Sequence, residues 1–260
     1  AKAVYVKLKS EDGFVPDPSA IEEVITDKTK IIIVLTPNNP TGSVYPEETL
    51  AGILDLAKKH NIVLISDEVY ETLVFDGARH TSLVSLPGAK DHVVQVNSFS
   101  KTYAMTGLRV GYLAASADKV LQFLKYHHTV NISANVPSQR ACITALQGPQ
   151  DCVEEMRLAY LERRDMLLER LNDIPGIHCQ TPKGTFFAFA DIRELGIPSL
   201  EFAEYLVKEA GVVLTNGSGF NYEGFIRLSY AADPSNIEEA MDRMKAAVLK
   251  LPEALKKNGS

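Results

Sequence analysis

Short β-branched runs recur along this chain, and stretches with helical periodicity separate them. Residues 4–8, 31–35, 62–65 and 93–97 each read as a strand. Between the first two, Asp17 and Pro18 open a helix through Ile21 and Val24, the aspartate as cap and the proline in the first turn. Leu50, Ile53, Leu54 and Ala57 fall on one face of a helix over residues 46–60. Parallel strands need long crossovers, and strands that are apolar throughout need cover on both sides. The alternation therefore predicts an α/β fold of three layers, a mostly parallel sheet covered by helices on both faces. The run at 110–114 follows the preceding strand too closely for a crossover, so it is expected to return antiparallel.

Further along, helices are expected over 118–130, 136–146 and 151–172. The last is long enough to leave the sheet domain and enter a smaller α+β domain. Strands near 177–180, 185–190, 212–215 and 225–229 and helices over 199–210 and 235–251 would build it. The expected boundary separates residues 1–155 from 156–260, and residues 256–260 read as a disordered tail. A 260-residue chain with 45% hydrophobic residues can bury cores for both parts.

The chemistry concentrates at Lys101. It stands in the run Asn97-Ser98-Phe99-Ser100-Lys101-Thr102-Tyr103, just past a strand, with Arg109 eight residues on. An amine there can form a Schiff base, and the hydroxyls and guanidinium suit a phosphate dianion. That pairing of amine and anion clamp is what pyridoxal phosphate requires. Other polar residues also follow apolar runs: Thr36-Pro37-Asn38-Asn39-Pro40-Thr41-Gly42 follows one, and Ser66-Asp67-Glu68-Val69-Tyr70 follows another. Ligands of open α/β sheets bind beyond the carboxyl ends of strands, so Asn39, Asp67 and Lys101 can converge on one crevice. Each residue also has a plainer reading: Asp67 as a turn or helix cap, Asn39 as a turn residue before Pro40, Tyr70 as a half-buried core tyrosine, Lys101 as a surface lysine.

Taken in order with Phe225-Ile226-Arg227-Leu228-Ser229, these motifs resemble the class I/II aminotransferases, pyridoxal-phosphate enzymes of fold type I, over nearly the whole chain. The resemblance implies a role for each matching residue. Lys101 would be the covalent anchor and proton carrier. Asp67 would pair with the pyridinium nitrogen. Asn39 and Tyr70 would donate to the cofactor's phenolic oxygen, and Val69 would press on one face of its ring. Ser98, Ser100 and Arg109 would hold the phosphate, and Arg227 the substrate carboxylate. It also implies a homodimer and an N-terminal part (an arm, the first strands, a phosphate loop, a stacking aromatic) that a chain opening without an initiator methionine would lack.

The expected activity is transfer of an amino group between an L-amino acid and a 2-oxo acid. A carbon–sulfur β-lyase on the same fold and an inactive truncated fragment are the alternatives. Gly184-Thr185-Phe186-Phe187 resembles the family's strand near the substrate mouth, though a plain hydrophobic strand reads as well. His127 and His128 suit the negative pole of a helix end, and Tyr103 and Tyr222 are weaker substrate candidates. A net charge of −6 argues against nucleic acid. No apolar run is long enough for a membrane span, and no signal peptide is visible. Cys142, Cys152 and Cys179 lack metal-ligand spacing and read as reduced thiols of a cytoplasmic protein.

Overall fold

The structure, a computed structural model, describes the backbone of residues 1–258 and the side chains of residues 1–251. The chain gathers into two compact units. The first comprises residues 1–39 and 43–156, the second residues 40–42 and those from Arg157 onward.

In the first unit, α1 (Pro18–Glu22) begins where the cap predicts, with the Asp17 carboxylate accepting the Ser19 N–H at 2.9 Å. Then come β1 (Ile31–Leu35), α2 (Glu47–His60), β2 (Val63–Asp67), β3 (Val93–Ser98), the single turn α3 (Phe99–Thr102), β4 (Gly111–Ala114), α4 (Ala117–Val130) and α5 (Val136–Gln147). The sheet runs β1-β2-β3-β4. The first two ladders are parallel and the last is antiparallel, as the short connection requires. Leu35, Asp67 and Val96 stand side by side, so the strand ends are aligned. Val34, Leu64 and Val93 share a core with Leu50, Ile53, Leu54 and Ala57 of α2. Leu50, Ile53 and Leu64 are sealed from solvent, each contributing about 1.5–3 kcal/mol.

One expectation does not hold. Residues 4–8 form no strand, and Val4 and Tyr5 are exposed. A β-branched run becomes a strand only when another strand takes its hydrogen bonds, and none among the described residues does. The sheet itself is the mostly parallel α/β sheet expected, with local exposure on its outer strands. Pleating turns Val34 into the core but leaves Ile33, one residue back, 71% exposed and Leu113 of β4 40% exposed. On α4, Leu121, Tyr126 and Val130 are likewise exposed.

The helix α6 (Asp151–Asn172) leads into the second unit, followed by β5 (His178–Cys179), β6 (Phe187–Asp191), α7 (Ser199–Ala210), β7 (Thr215–Asn216), β8 (Phe225–Ser229) and α8 (Pro234–Asn258). The sheet order is β5-β6-β8-β7, antiparallel throughout. Leu171, Phe202, Leu206, Ile226, Tyr230 and Met244 form its core. The strand expected at 212–215 is paired only from Thr215, and Val213 is exposed. The expected tail is helical to Asn258, and Gly259 and Ser260 lie outside the described residues.

Candidate functional site

Lys101 rides on α3, a turn anchored at both ends. The Ser98 hydroxyl accepts the Ser100 N–H at 3.1 Å and donates to the Val110 carbonyl at 3.2 Å, so it caps the turn and ties it to the start of β4. The Thr72 hydroxyl donates to that of Thr102 at 3.2 Å, linking α3 to the segment after Tyr70. Phe99 stacks on Tyr103 with ring centres 5.8 Å apart. On this support the Lys101 Nζ lies 5.9 Å from the centre of the Tyr70 ring. Burial, then the charge of Arg109, pushes its amine below the usual lysine range. Arg109 is exposed, with left-handed backbone at φ 53°, and donates to the Thr106 carbonyl at 3.1 Å.

Asp67 ends β2 beside Leu35 and Val96. It is half-buried, and Oδ1 accepts the Val69 N–H at 3.3 Å. Burial raises its carboxyl above the usual aspartate range, the Val69 N–H works against the rise, and the Glu68 charge adds to it. Such a carboxylate gains by meeting a cation. Tyr70 is buried.

Asn39 sits half-buried in the turn after β1. Its neighbour Asn38 braces that turn, donating from Nδ2 to the Leu35 carbonyl at 3.3 Å and to the Tyr45 hydroxyl at 3.0 Å. The Tyr45 N–H donates to the Thr36 hydroxyl at 3.0 Å, closing the loop. Gly42 packs with the second unit: at φ 71°, a Cβ there would lie 2.3 Å from Pro182 Cβ, and its carbonyl accepts the Lys183 and Gly184 N–H groups.

Lys101, Tyr70 and Arg109 are thus brought together, and Asp67 and Asn39 stand at the same ends of neighbouring strands. Ser100 is 8% exposed and points away from open solvent, while the Ser98 hydroxyl already serves the turn. Arg227 belongs to the second unit. It donates to the Thr215 hydroxyl at 3.0 Å, and its guanidinium lies 4.3 Å from the Phe187 ring centre and 5.1 Å from that of Phe220. Tyr222 packs edge-on against Phe225 and Phe189. The Tyr103 hydroxyl donates to Gln150 at 2.9 Å. His127 and His128 lie in the last turn of α4, where the helix pole favours them.

A cavity of about 440 Å³ opens nearby, lined by Glu71, Asn97, Tyr103 and Tyr112 among others. It shares Ser98 and Tyr103 with the predicted residues but not Lys101, Asp67 or Tyr70. Chemistry rather than volume therefore singles out the Lys101 group.

Reasoning from the sequence missed Asn38, Tyr45 and Glu68. Glu68 carried a signal: an acid that continues the alternation of an apolar strand, on the face opposite Asp67.

An amine of lowered basicity can capture a carbonyl, a guanidinium takes an anion, and a half-buried carboxylate takes a cationic nitrogen. The residues present fit an aldehyde-bearing phosphate ester with a basic ring nitrogen.

Residues 1–244 match the family described as aminotransferase class I and II. Aromatic-amino-acid aminotransferase 2 of Thermococcus litoralis is 41% identical over 251 residues, covering 94% of this chain and 64% of that protein. Aspartate aminotransferase of Pyrococcus horikoshii is 38% identical over 254 residues, covering 95% and 64%. Among solved structures, the aromatic aminotransferase of Pyrococcus horikoshii superposes with a TM-score of 0.92 at 38% identity, covering 95% of this chain and 67% of that one. Aspartate aminotransferase of Thermus thermophilus with maleate gives 0.89 at 36%, covering 94% and 63%. The chain thus spans about 64% of the length of the curated relatives it matches.

Proposed function

The chain belongs to the class I and II aminotransferases, and from that premise we propose that the whole protein moves an amino group between an L-amino acid and a 2-oxo acid, with pyridoxal 5′-phosphate as cofactor. One observation carries the reading: a half-buried lysine amine of lowered basicity, 5.9 Å from a buried tyrosine ring, on the turn that follows a strand whose end is aligned with that of Asp67.

Bound pyridoxal phosphate supplies a ring that withdraws electrons from the substrate α-carbon. The chain's residues do the rest. Lys101 would hold the aldehyde, and its freed Nζ would take the α-proton and deliver it to the cofactor's aldehyde carbon. Lowered basicity suits both steps, because a free amine must be available near neutral pH. Asp67 keeps a proton on the ring nitrogen. Tyr70 and Asn39 donate to the ring oxygen. Arg109 and Ser100 take the phosphate, and Ser98 joins them through the turn it caps. Arg227 is the proposed group for the α-carboxylate, a pairing its forked donors favour. The aromatic rings flanking it, with the aspartate and aromatic activities named for the relatives, support acidic or aromatic donors.

We place the protein in the cytoplasm as a homodimer, with residues 1–155 and 156–260 as its two domains. Among the described residues no helix is long and apolar enough to cross a membrane, and the three cysteines are free thiols, which supports a reducing compartment. The exposed apolar residues of α4 support a subunit partner.

The test is direct. Chain mixed with pyridoxal phosphate, reduced with borohydride and weighed under denaturing conditions gains one cofactor, and the Lys101→Ala variant gains none. Aspartate or phenylalanine with 2-oxoglutarate then yields glutamate. An adduct that survives in the alanine variant overturns the assignment of Lys101.

A further inference from the structure

Glu68 follows Asp67 in the chain and is sealed from solvent. Its carboxylate is a hub. Oε1 accepts the Ser66 hydroxyl at 2.6 Å and the Leu83 N–H at 3.1 Å. Oε2 accepts the Gln95 amide at 2.8 Å and faces His80 Nε2 at 3.1 Å. These donors come from β2, from a turn 15 residues downstream, from β3 and from the loop between, and they fill all four acceptor positions of the carboxylate. Glu71 completes a cluster with Glu68 and His80 whose polar atoms lie within 4.8 Å of one another, but Glu68 has no open position left for a further ligand.

The backbone carries this anchoring to Asp67. The Glu68 N–H donates to the Val96 carbonyl at 3.0 Å, and its carbonyl accepts the Glu71 N–H at 3.0 Å, so β2 stays extended through Glu68 and then turns toward Tyr70. Successive side chains of an extended strand point to opposite faces. With Glu68 pinned to one face, Asp67 has to present its carboxylate on the other.

We propose that Glu68 is a positioning residue that fixes the direction in which Asp67 offers its carboxylate, with His80 closing its shell. The proposal deepens the reading of Asp67 given above and rests on it. His80 supplies an internal reporter. Its Nε2 faces Glu68, while Nδ1 is buried without a hydrogen-bond partner, which places the ring proton on Nε2. In Glu68→Gln the new amide NH₂ avoids the fixed Leu83 N–H and takes the Oε2 side. There Gln95 can flip and His80 can move its proton to Nδ1.

The test uses the full chain in four forms beside the parent: Glu68→Gln, Glu68→Ala, Asp67→Ala and the double alanine. Without cofactor, nitrogen NMR of Glu68→Gln shows the His80 proton transferred to Nδ1. Carbon NMR shows the Asp67 titration midpoint falling as the neighbouring negative charge goes, and falling in Glu68→Ala as the carboxyl leaves its half-buried place. With pyridoxal phosphate, Glu68→Ala weakens binding about 10- to 100-fold, the range met when a supporting partner of a ligating group is removed. The double variant binds no more weakly than Asp67→Ala alone. Losses that add in full, or an Asp67 titration unchanged in both Glu68 variants, overturn the proposal. A parent chain that takes up no cofactor counts against the proposed function, and the cofactor-free titrations still decide the link between Glu68 and Asp67. If Glu68→Ala does not fold, the His80 and Asp67 signals of Glu68→Gln decide it.

Discussion

Removing one oxygen from Tyr45 tests whether the turn carrying Asn39 is braced as described. The hydroxyl is buried and accepts one bond, from Asn38 Nδ2 at 3.0 Å, while the same nitrogen also reaches the Leu35 carbonyl at 3.3 Å. Tyr45→Phe deletes one neutral hydrogen bond and leaves Asn38 its second acceptor, so the expected loss is about 1 kcal/mol. Asn38→Ala removes both bonds and strands the Tyr45 hydroxyl in the core, where an unsatisfied group costs about 1–3 kcal/mol by itself. Asn38→Ala is therefore the worse variant, although it deletes the more exposed side chain. The double variant no longer strands the hydroxyl, so a cycle should show coupling of about 1 kcal/mol. Urea unfolding of the four forms measures these differences. Because the brace holds Asn39, Tyr45→Phe should also weaken pyridoxal phosphate binding by up to about fivefold, the equivalent of 1 kcal/mol. A loss for Tyr45→Phe equal to that for Asn38→Ala, or effects that simply add, refutes the brace.

Gly42→Ala should destabilise the second unit by at least about 2 kcal/mol in chemical denaturation, since φ is 71° and the new methyl would lie 2.3 Å from Pro182 Cβ and 3.0 Å from the Gly184 carbonyl; unchanged stability contradicts it. Lys101 should show a pH–rate midpoint for acylation below the ordinary lysine range, because its folded-state basicity is reduced. The sign for stability follows: between the folded and unfolded midpoints the unfolded chain binds the extra proton, so stability rises with pH there, and Lys101→Gln should flatten that slope. A midpoint at or above the ordinary lysine value removes the argument.

Much of this architecture was legible because it is local. The cap at Asp17, the apolar stripe of α2 and the antiparallel return of β4 each depend on neighbours a few residues away. The same holds for the candidate site: Asn39, Asp67 and Lys101 were found by their distance from strand ends, and parallel pairing in register aligns those ends. Local reasoning failed where a residue's state depends on distant partners. Residues 4–8 have strand composition and no strand to pair with. Ile33 belongs to an apolar run and is exposed. The bond from the Ser98 hydroxyl to the Val110 carbonyl likewise depends on a partner twelve residues away.

The amino-acid sequence by itself pointed to the candidate site residues and to most of the strands and helices, because periodicity, caps and the order of side chains are properties of short stretches. Only the tertiary structure decided that Glu68 is a saturated buried hub, that Asn38 and Tyr45 hold the Asn39 turn, and that the lysine amine sits beside Tyr70 and Arg109. Those properties are set by burial and by partners from other segments of the chain, and folding alone brings such partners within reach of one another.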